Sequence, residues 1–450
     1  MKKHISPRKT WLLLILFWPI QPASPAQIPS RSDCRLESSQ PQTGKSLQPD
    51  AGPDDVDLIR DKIARIPSIP TRVRIMPSRY MELREAFVGY CETGVPLVAS
   101  DGSRYYPAGF SDDLGLYYFI PRLALLTHLE LPKAADLFFE VPLIASMLVG
   151  IVFLLPSLEN RTLKVWAILL LLALTYSSLR RGDVYSFQTT AALCIVPWSL
   201  HLEREKTVGN GSAIFMAGAG FVIGFANLIR SQAGTGVAIF LIVIITLHRH
   251  WARKQKLVLL ATLIAGLVVP TIYFHSLLAR RDGFLAAVQP DSIRVLDRHP
   301  FWHSVYIGFS FVPNKYVPGY RDELVAEKVH SIAPSVRYLS PEYEGIVRGE
   351  VFRLVREHPV FAFATMLAKL GEIGYLLLVS SNVGLLASVL YPKPSPLELA
   401  FWSAMGFNSL FGFLIIPHRQ YMLGFMALAV LYGIISIGYA LKCQHAGKTH

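Results

Sequence analysis

Asp112 and Asp113 are adjacent carboxylates placed between a turn, marked by Pro107 and Gly109, and an apolar aromatic run over 114–121 that includes Tyr117, Tyr118 and Phe119. Ionised carboxylates must stay hydrated or find cations, so in a largely apolar chain such a pair marks either a wet loop or a polar cavity at a membrane surface. Two kinds of chemistry are open to it. One carboxylate can take the proton from a hydroxyl or amine nucleophile, or the pair can hold a hard divalent cation through its oxygens. Arginines form the second group of interest. Arg180, Arg181, Arg230 and Arg419 stand at the ends of apolar runs, with Asp183, His418 and Tyr421 close by in sequence. A guanidinium is always charged and offers a planar fork of donors that suits phosphate. Arginines at helix ends also reach out to lipid headgroups with no further role.

The elements that must position these residues are membrane helices. Of 450 residues, 52% are hydrophobic and only 17% charged, and the mean hydropathy is +0.37, which is too apolar for a soluble protein of this size. The chain reads as an all-α polytopic membrane protein. Its net charge of +12 is densest at the ends of apolar runs, where the positive-inside rule accounts for it without nucleic acid. Residues 1–26, with Lys2, Lys3, Arg8 and Lys9 ahead of the apolar run 11–20, read as a signal anchor or signal peptide. Residues 27–75 read as an exported, largely disordered segment, with a short amphipathic helix near 54–66. Residues 76–136 make a first extracytoplasmic loop with the acidic pair and an interfacial helix over 114–131, interrupted by Pro121, Arg122 and His128.

Spans are expected at 137–155, 163–179, 184–202, 213–229, 234–247 and 257–278, which form a helix bundle over 137–278. A second extracytoplasmic loop follows over 279–359. Residues 360–450 hold the last spans, at 360–379, 397–416 and 421–441, and a short cytoplasmic tail. With the first run retained that is about ten transmembrane helices, each near the length of a bilayer core. Arg249, Arg253, Lys254 and Lys256, with no acid between them, make the loop 248–256 cytoplasmic. Alternation from there places both long polar segments outside, together with the turns 180–183, 230–232 and 417–420. The acids, Arg180, Arg181, Asp183, Arg230, His418 and Arg419 then share one face.

This layout resembles the GT-C superfamily of integral-membrane glycosyltransferases, most closely the branch with protein O-mannosyltransferases and lipid A aminoarabinose transferases. The matching features are the acidic pair Asp112–Asp113 in a first extracytoplasmic loop, the aromatic stretch Tyr117, Tyr118 and Phe119, the many-span body, and Arg419 and Tyr421 at the start of the last span. The chain departs from that pattern in two ways. Its acids are adjacent where many relatives space them, and Gln420 separates Arg419 from Tyr421. The resemblance implies transfer of a hexosyl or pentosyl group from a polyprenyl-phosphate donor to an acceptor on the extracytoplasmic face of a bacterial inner membrane. Asp112 or Asp113 would be the base. Arg180, Arg181, Asp183, Arg230, His418, Arg419 and Tyr421 would bind substrate or its phosphate. A divalent metal on the acidic pair is compatible with this chemistry but not demanded by it. The sequence has no GxGxxG after a strand and no P-loop.

A secondary transporter or flippase for a lipid-linked substrate is the alternative of a different class, since broken helices and about ten spans suit it equally. Mid-span charge is nearly absent, Lys369 and Glu372 being the exceptions, and no internal repeat is visible. His299 and His303 have the spacing of one helical face and admit a metal site, though Pro300, Phe301 and Trp302 between them suit an interfacial anchor better. Residues 341–358 read as an amphipathic helix with Ile346, Val347, Phe352, Leu354 and Val355 on its apolar positions. Glu342 and Glu344 read as solvated. Gly218, Gly220 and Gly224 are expected to let a helix approach closely. The four cysteines have no metal-site spacing, and Cys34 and Cys91 are able to pair if both are exported.

Overall fold

The computed structural model describes residues 75–109, 113–202, 208–289, 301–336, 338 and 340–447. The expectations for 1–26, for 27–75 with its amphipathic helix except its last residue, Ile75, and for Asp112 and His299 lie outside the described residues.

The described chain is almost wholly helical. After α1 (Pro77–Thr93), a small antiparallel hairpin pairs β1 (Val98–Ser100) with β2 (Tyr105–Pro107), Ala99 opposite Tyr106. Then come α2 (Leu114–Thr127), α3 (Leu131–Leu154), α4 (Arg161–Arg181), α5 (Ser186–Leu202), α6 (Asn210–Ile229), α7 (Thr235–Leu247) and α8 (Arg253–Val288). Seven helices among the described residues are long and apolar enough to cross a membrane: α3, α4, α6, α8, and three that close the chain, α12 (Pro359–Ser381), α14 (Ser395–Leu414) and α15 (Leu423–Gly447), with the short α13 (Gly384–Leu390) between α12 and α14. The protein is thus an all-α polytopic membrane protein. The expected spans at 184–202 and 234–247 are helices too, but α7 has only 13 residues, about 20 Å at 1.5 Å per residue. In contrast, α8 has 36, about 54 Å, so it outruns a hydrocarbon core of about 30 Å.

Close helix approach at small residues sets the bundle's frame. A Cβ on Gly220 would come within 2.0 Å of Leu263 O, and one on Gly224 within 2.6 Å of Leu267 O. These two glycines are what lets α6 lie against α8, while Gly218 faces open space. Lys369, a charge in the middle of α12, is fully buried. Its Nζ donates to Leu414 O at 3.3 Å, so it satisfies a carbonyl at the C-terminal end of α14, where a cation is favoured. Elsewhere, the buried Lys393 holds Glu398 at 2.7 Å and Ser436 at 2.6 Å, tying the start of α14 to α15.

The second polar segment has its own small core. It contains α9 (Phe301–Gly308), α10 (Asp322–Ile332) and α11 (Pro341–Glu357), packed through Val305, Val325, Val329, Tyr343, Val347 and Val351. The buried face of α11 differs from the expected one. Tyr343, Val347, Val351 and Leu354 point inward, whereas Phe352 and Val355 are exposed, because the 3.6-residue period places 352 and 355 on the flank. Glu344 is not simply solvated, since its two oxygens accept from the Trp302 and His303 amides at 3.0 and 3.1 Å, capping α9. His303 is buried, with Nδ1 2.8 Å from the Tyr343 hydroxyl and Nε2 3.0 Å from Asp322 Oδ1, so both ring nitrogens serve this small core.

Candidate functional site

The site begins at two helix starts. Pro77 occupies the first turn of α1, where its fixed φ suits a helix and its missing N–H costs nothing, and Arg79 follows in that turn. Asp113 stands at the N-cap of α2, yet its carboxylate makes no capping bond. Instead its Oδ2 accepts from Arg79 Nε at 2.7 Å. Nη1 of the same guanidinium donates to Asp183 Oδ2, which also receives the Met76 amide at 3.3 Å. One arginine therefore joins two acids that lie on different elements, both nearly inaccessible at 1% and 4%. Burial works against the Arg79 cation, but Asp183 and Asp113 more than offset this and hold its pKa above the ordinary value.

Asp183 opens the 3-10 turn Asp183–Tyr185 with φ +43, a left-handed conformation that aspartate tolerates better than most residues. Its Oδ1 is buried with no hydrogen-bond partner among the described residues, an acceptor with spare capacity. Asp183 thus pairs with Arg79 rather than with its neighbours Arg180 or Arg181, both of which are exposed. Arg180 leans over Tyr176 of its own helix at 6.0 Å.

Tyr185, at the end of that turn, gathers the next set. The Arg230 guanidinium lies over its ring at 4.8 Å, and the Tyr421 ring meets it edge-on at 4.8 Å. Tyr421 is hydrogen-bonded to Tyr320 of the second polar segment. Arg230 is 8% exposed, so this cation–π contact is largely desolvated. Outside it, Arg181 and Arg419 flank His418. Burial first, and then these two cations, lower the His418 pKa. The turns 182–185, 230–234 and 415–422 therefore come together at one end of the bundle.

On the other side of Asp113, Tyr117 is buried and donates its hydroxyl to Glu82 Oε2 at 2.7 Å. Its ring lies where a Cβ on Gly109 would stand, 1.9 Å from Cε2, and Gly109 has φ +61. Only glycine satisfies both conditions. Next to this, an apolar groove of about 250 Å³ opens between α6, α8 and α2, lined by Phe119, Phe221, Phe225, Leu228, Tyr273 and Phe274. At its rim Arg122 donates to the Tyr118 hydroxyl, which is hydrogen-bonded to Tyr273. Leu228 in the groove and Arg230 in the site are two residues apart.

Of the residues expected from sequence, Asp113 and Asp183 are united by Arg79, and Arg230 and Tyr421 by Tyr185. Arg181, His418 and Arg419 form an exposed edge, and Arg180, also exposed, lies over Tyr176. Arg79, Glu82, Tyr185 and Tyr320 were not anticipated. Among the described residues no group of three or more His, Cys, Asp or Glu side chains is placed to hold a metal, and the Arg79 guanidinium fills the position between the carboxylates that a divalent ion would take. Asp113 and Asp183, so paired, do not fit a metal, while Asp112, the other acid of the expected metal pair, lies outside the described residues. No family model, curated protein or solved structure matches the chain.

Proposed function

We propose that this chain is a GT-C-type glycosyltransferase that moves a pentosyl or hexosyl group from a polyprenyl phosphate to an acceptor at the extracytoplasmic face of a bacterial inner membrane, with about ten spans. The observation that carries the reading is the meeting of buried acids, a desolvated arginine and an apolar groove at one end of the bundle. Asp113 and Asp183 are within reach of one guanidinium, Arg230, under 10% exposed, lies over Tyr185 two residues on from Asp183, and the groove is lined up to Leu228, two residues before Arg230. A prenyl chain needs an apolar slot, a leaving phosphate needs a pre-placed cation, and the acceptor needs a carboxylate. The apolar groove, Arg230 and the carboxylates grouped around Arg79, Glu82 among them, support this reading.

Two further observations support the side of the membrane. Cys91 is disulfide-bonded, which belongs to an oxidising compartment, and the basic loop at 248–256 lies at the far end of α7 and α8 from Arg230. Lys369, the buried mid-span charge, is taken up by a helix end and does not line a central transport site.

The test is thermal unfolding of the full chain in nanodiscs with added undecaprenyl phosphate, undecaprenol or phosphatidylglycerol. Selective stabilisation by the prenyl phosphate, about 2.7 kcal/mol at a hundred times Kd, is expected. Equal stabilisation by undecaprenol would remove phosphate recognition and with it the donor. Release of undecaprenyl phosphate from a panel of its pentose and hexose conjugates then identifies the sugar.

A further inference from the structure

Among the described residues three carboxylates approach the site, and they are not equivalent. Asp113 and Asp183 are buried and committed to Arg79. Taking a proton on either would strip the guanidinium of a partner and leave it under-compensated in a buried position, which is costly. Glu82 sits one helical turn along α1 from Arg79, only partly buried, and its Oε2 accepts from the Tyr117 hydroxyl at 2.7 Å. That bond fixes the carboxylate's direction and leaves Oε1 available. Tyr117 is itself wedged by Gly109, so the pair is held by packing and does not depend on a ligand.

Resting on the glycosyl-transfer reading above, we infer that Glu82, oriented by Tyr117, is the catalytic base, and that Asp113 and Asp183 are a fixed counter-charge that positions Arg79. In the step, the acceptor oxygen forms its bond to the anomeric carbon as the bond from that carbon to the phosphate oxygen breaks. The phosphate departs with the electron pair as polyprenyl phosphate, and the acceptor's proton passes to Glu82 Oε1. Electrons and protons balance with no further reactant.

The charges around Glu82 are consistent with this role. Its neighbours are Arg79 and Glu85 on α1, Asp113 and Tyr117 at the start of α2, and Tyr106 on β2, whose hydroxyl is bonded to Glu85. Burial pushes the Glu82 carboxyl up to about 7, with Asp113 and Glu85 adding to the rise and Tyr117 and Arg79 opposing it. A base that ionises close to the working pH combines a useful charged fraction with real proton affinity.

The experiment has two arms, so that a failure of Glu82 is separable from a failure of the transferase reading. The first needs no donor. Infrared difference spectra of the full chain in nanodiscs should show a protonated carboxyl that disappears with a midpoint near 7. The signal should be absent in Glu82→Gln and its midpoint higher in Tyr117→Phe, which removes a bond that favours the charged form. A neutral-pH carboxyl that persists in Glu82→Gln overturns the inference whatever the chain transfers. The second arm follows release of undecaprenyl phosphate from its pentose and hexose conjugates. Glu82→Gln should lower kcat by about a hundredfold or more with undecaprenyl phosphate binding unchanged, and the wild-type rate should rise with pH through the same midpoint. Wild-type turnover in Glu82→Gln overturns the base assignment while leaving the transferase reading intact.

Discussion

Arg79 Nε lies 2.7 Å from Asp113 Oδ2, and the same guanidinium reaches Asp183, 104 residues away in sequence. Helix α1, the start of α2 and the turn before α5 are thereby pinned by one side chain. Arg79→Met should leave two buried carboxylates facing each other, at a cost of roughly 3–5 kcal/mol, read as a large fall in Tm in detergent. Adding Asp113→Asn and Asp183→Asn to that variant should recover most of the loss. A Tm unchanged in Arg79→Met alone would show that the triad carries no structural weight.

Glu82 makes stability depend on pH. Its folded pKa is raised from 4.5 to about 7, so the protonated form favours the fold, and that contribution, full below about 4.5, is lost as pH rises through about 7. Glu82→Gln, neutral throughout, should match the wild type near pH 4 and exceed it above pH 7. Equal Tm values for the two proteins across that range would contradict this.

Gly109 holds the position of Tyr117. Gly109→Ala places a methyl inside the Tyr117 ring at a positive φ, and should cost roughly 1–3 kcal/mol through strain and overpacking. Tyr117→Phe, which keeps the ring and loses only the bond to Glu82, should cost less in Tm.

The membrane nature of the chain, most helix positions and the face shared by the turns were legible in apolar run lengths and the basic loop, because these follow from one-dimensional composition. Asp183, Arg230 and Tyr421 could be named from their place at span ends. Arg79 could not, since it is one of several basic residues in a polar segment and nothing local marks it as the partner of acids 34 and 104 residues on. The role of Glu344 was hidden for the same reason, its partners being the amides of α9, over 40 residues earlier. Tyr185 reads as one more aromatic in an apolar helix until the fold brings Arg230 and Tyr421 to its ring.

The topology is testable with thiols already present. Cys443 is free and exposed near the C-terminus, and Glu342 at the start of α11 is exposed. A membrane-impermeant maleimide should label Glu342→Cys in intact spheroplasts and reach Cys443 only after permeabilisation. The reverse pattern would put the site on the cytoplasmic side and remove the extracytoplasmic donor.

Arg230 and Arg419 look alike in sequence but differ in the structure, and lysine substitution separates them. Arg230 is nearly buried against the Tyr185 ring, so a lysine there keeps the charge but loses the planar contact and the donor fork. Arg419 is exposed in the turn before α15, where water and salt screen it and a lysine replaces most of its field. With undecaprenyl phosphate as ligand, Arg230→Lys should weaken binding by roughly tenfold, equivalent to about 1.4 kcal/mol, and Arg419→Lys by about threefold or less, with the Arg419 effect vanishing at high salt. Arg180→Ala, which removes a side chain that only covers Tyr176, should leave binding unchanged. If Arg230→Lys binds as the wild type does while Arg419→Lys does not, the phosphate sits on the exposed basic edge with Arg181 and His418, and Arg230 serves only to pack Tyr185.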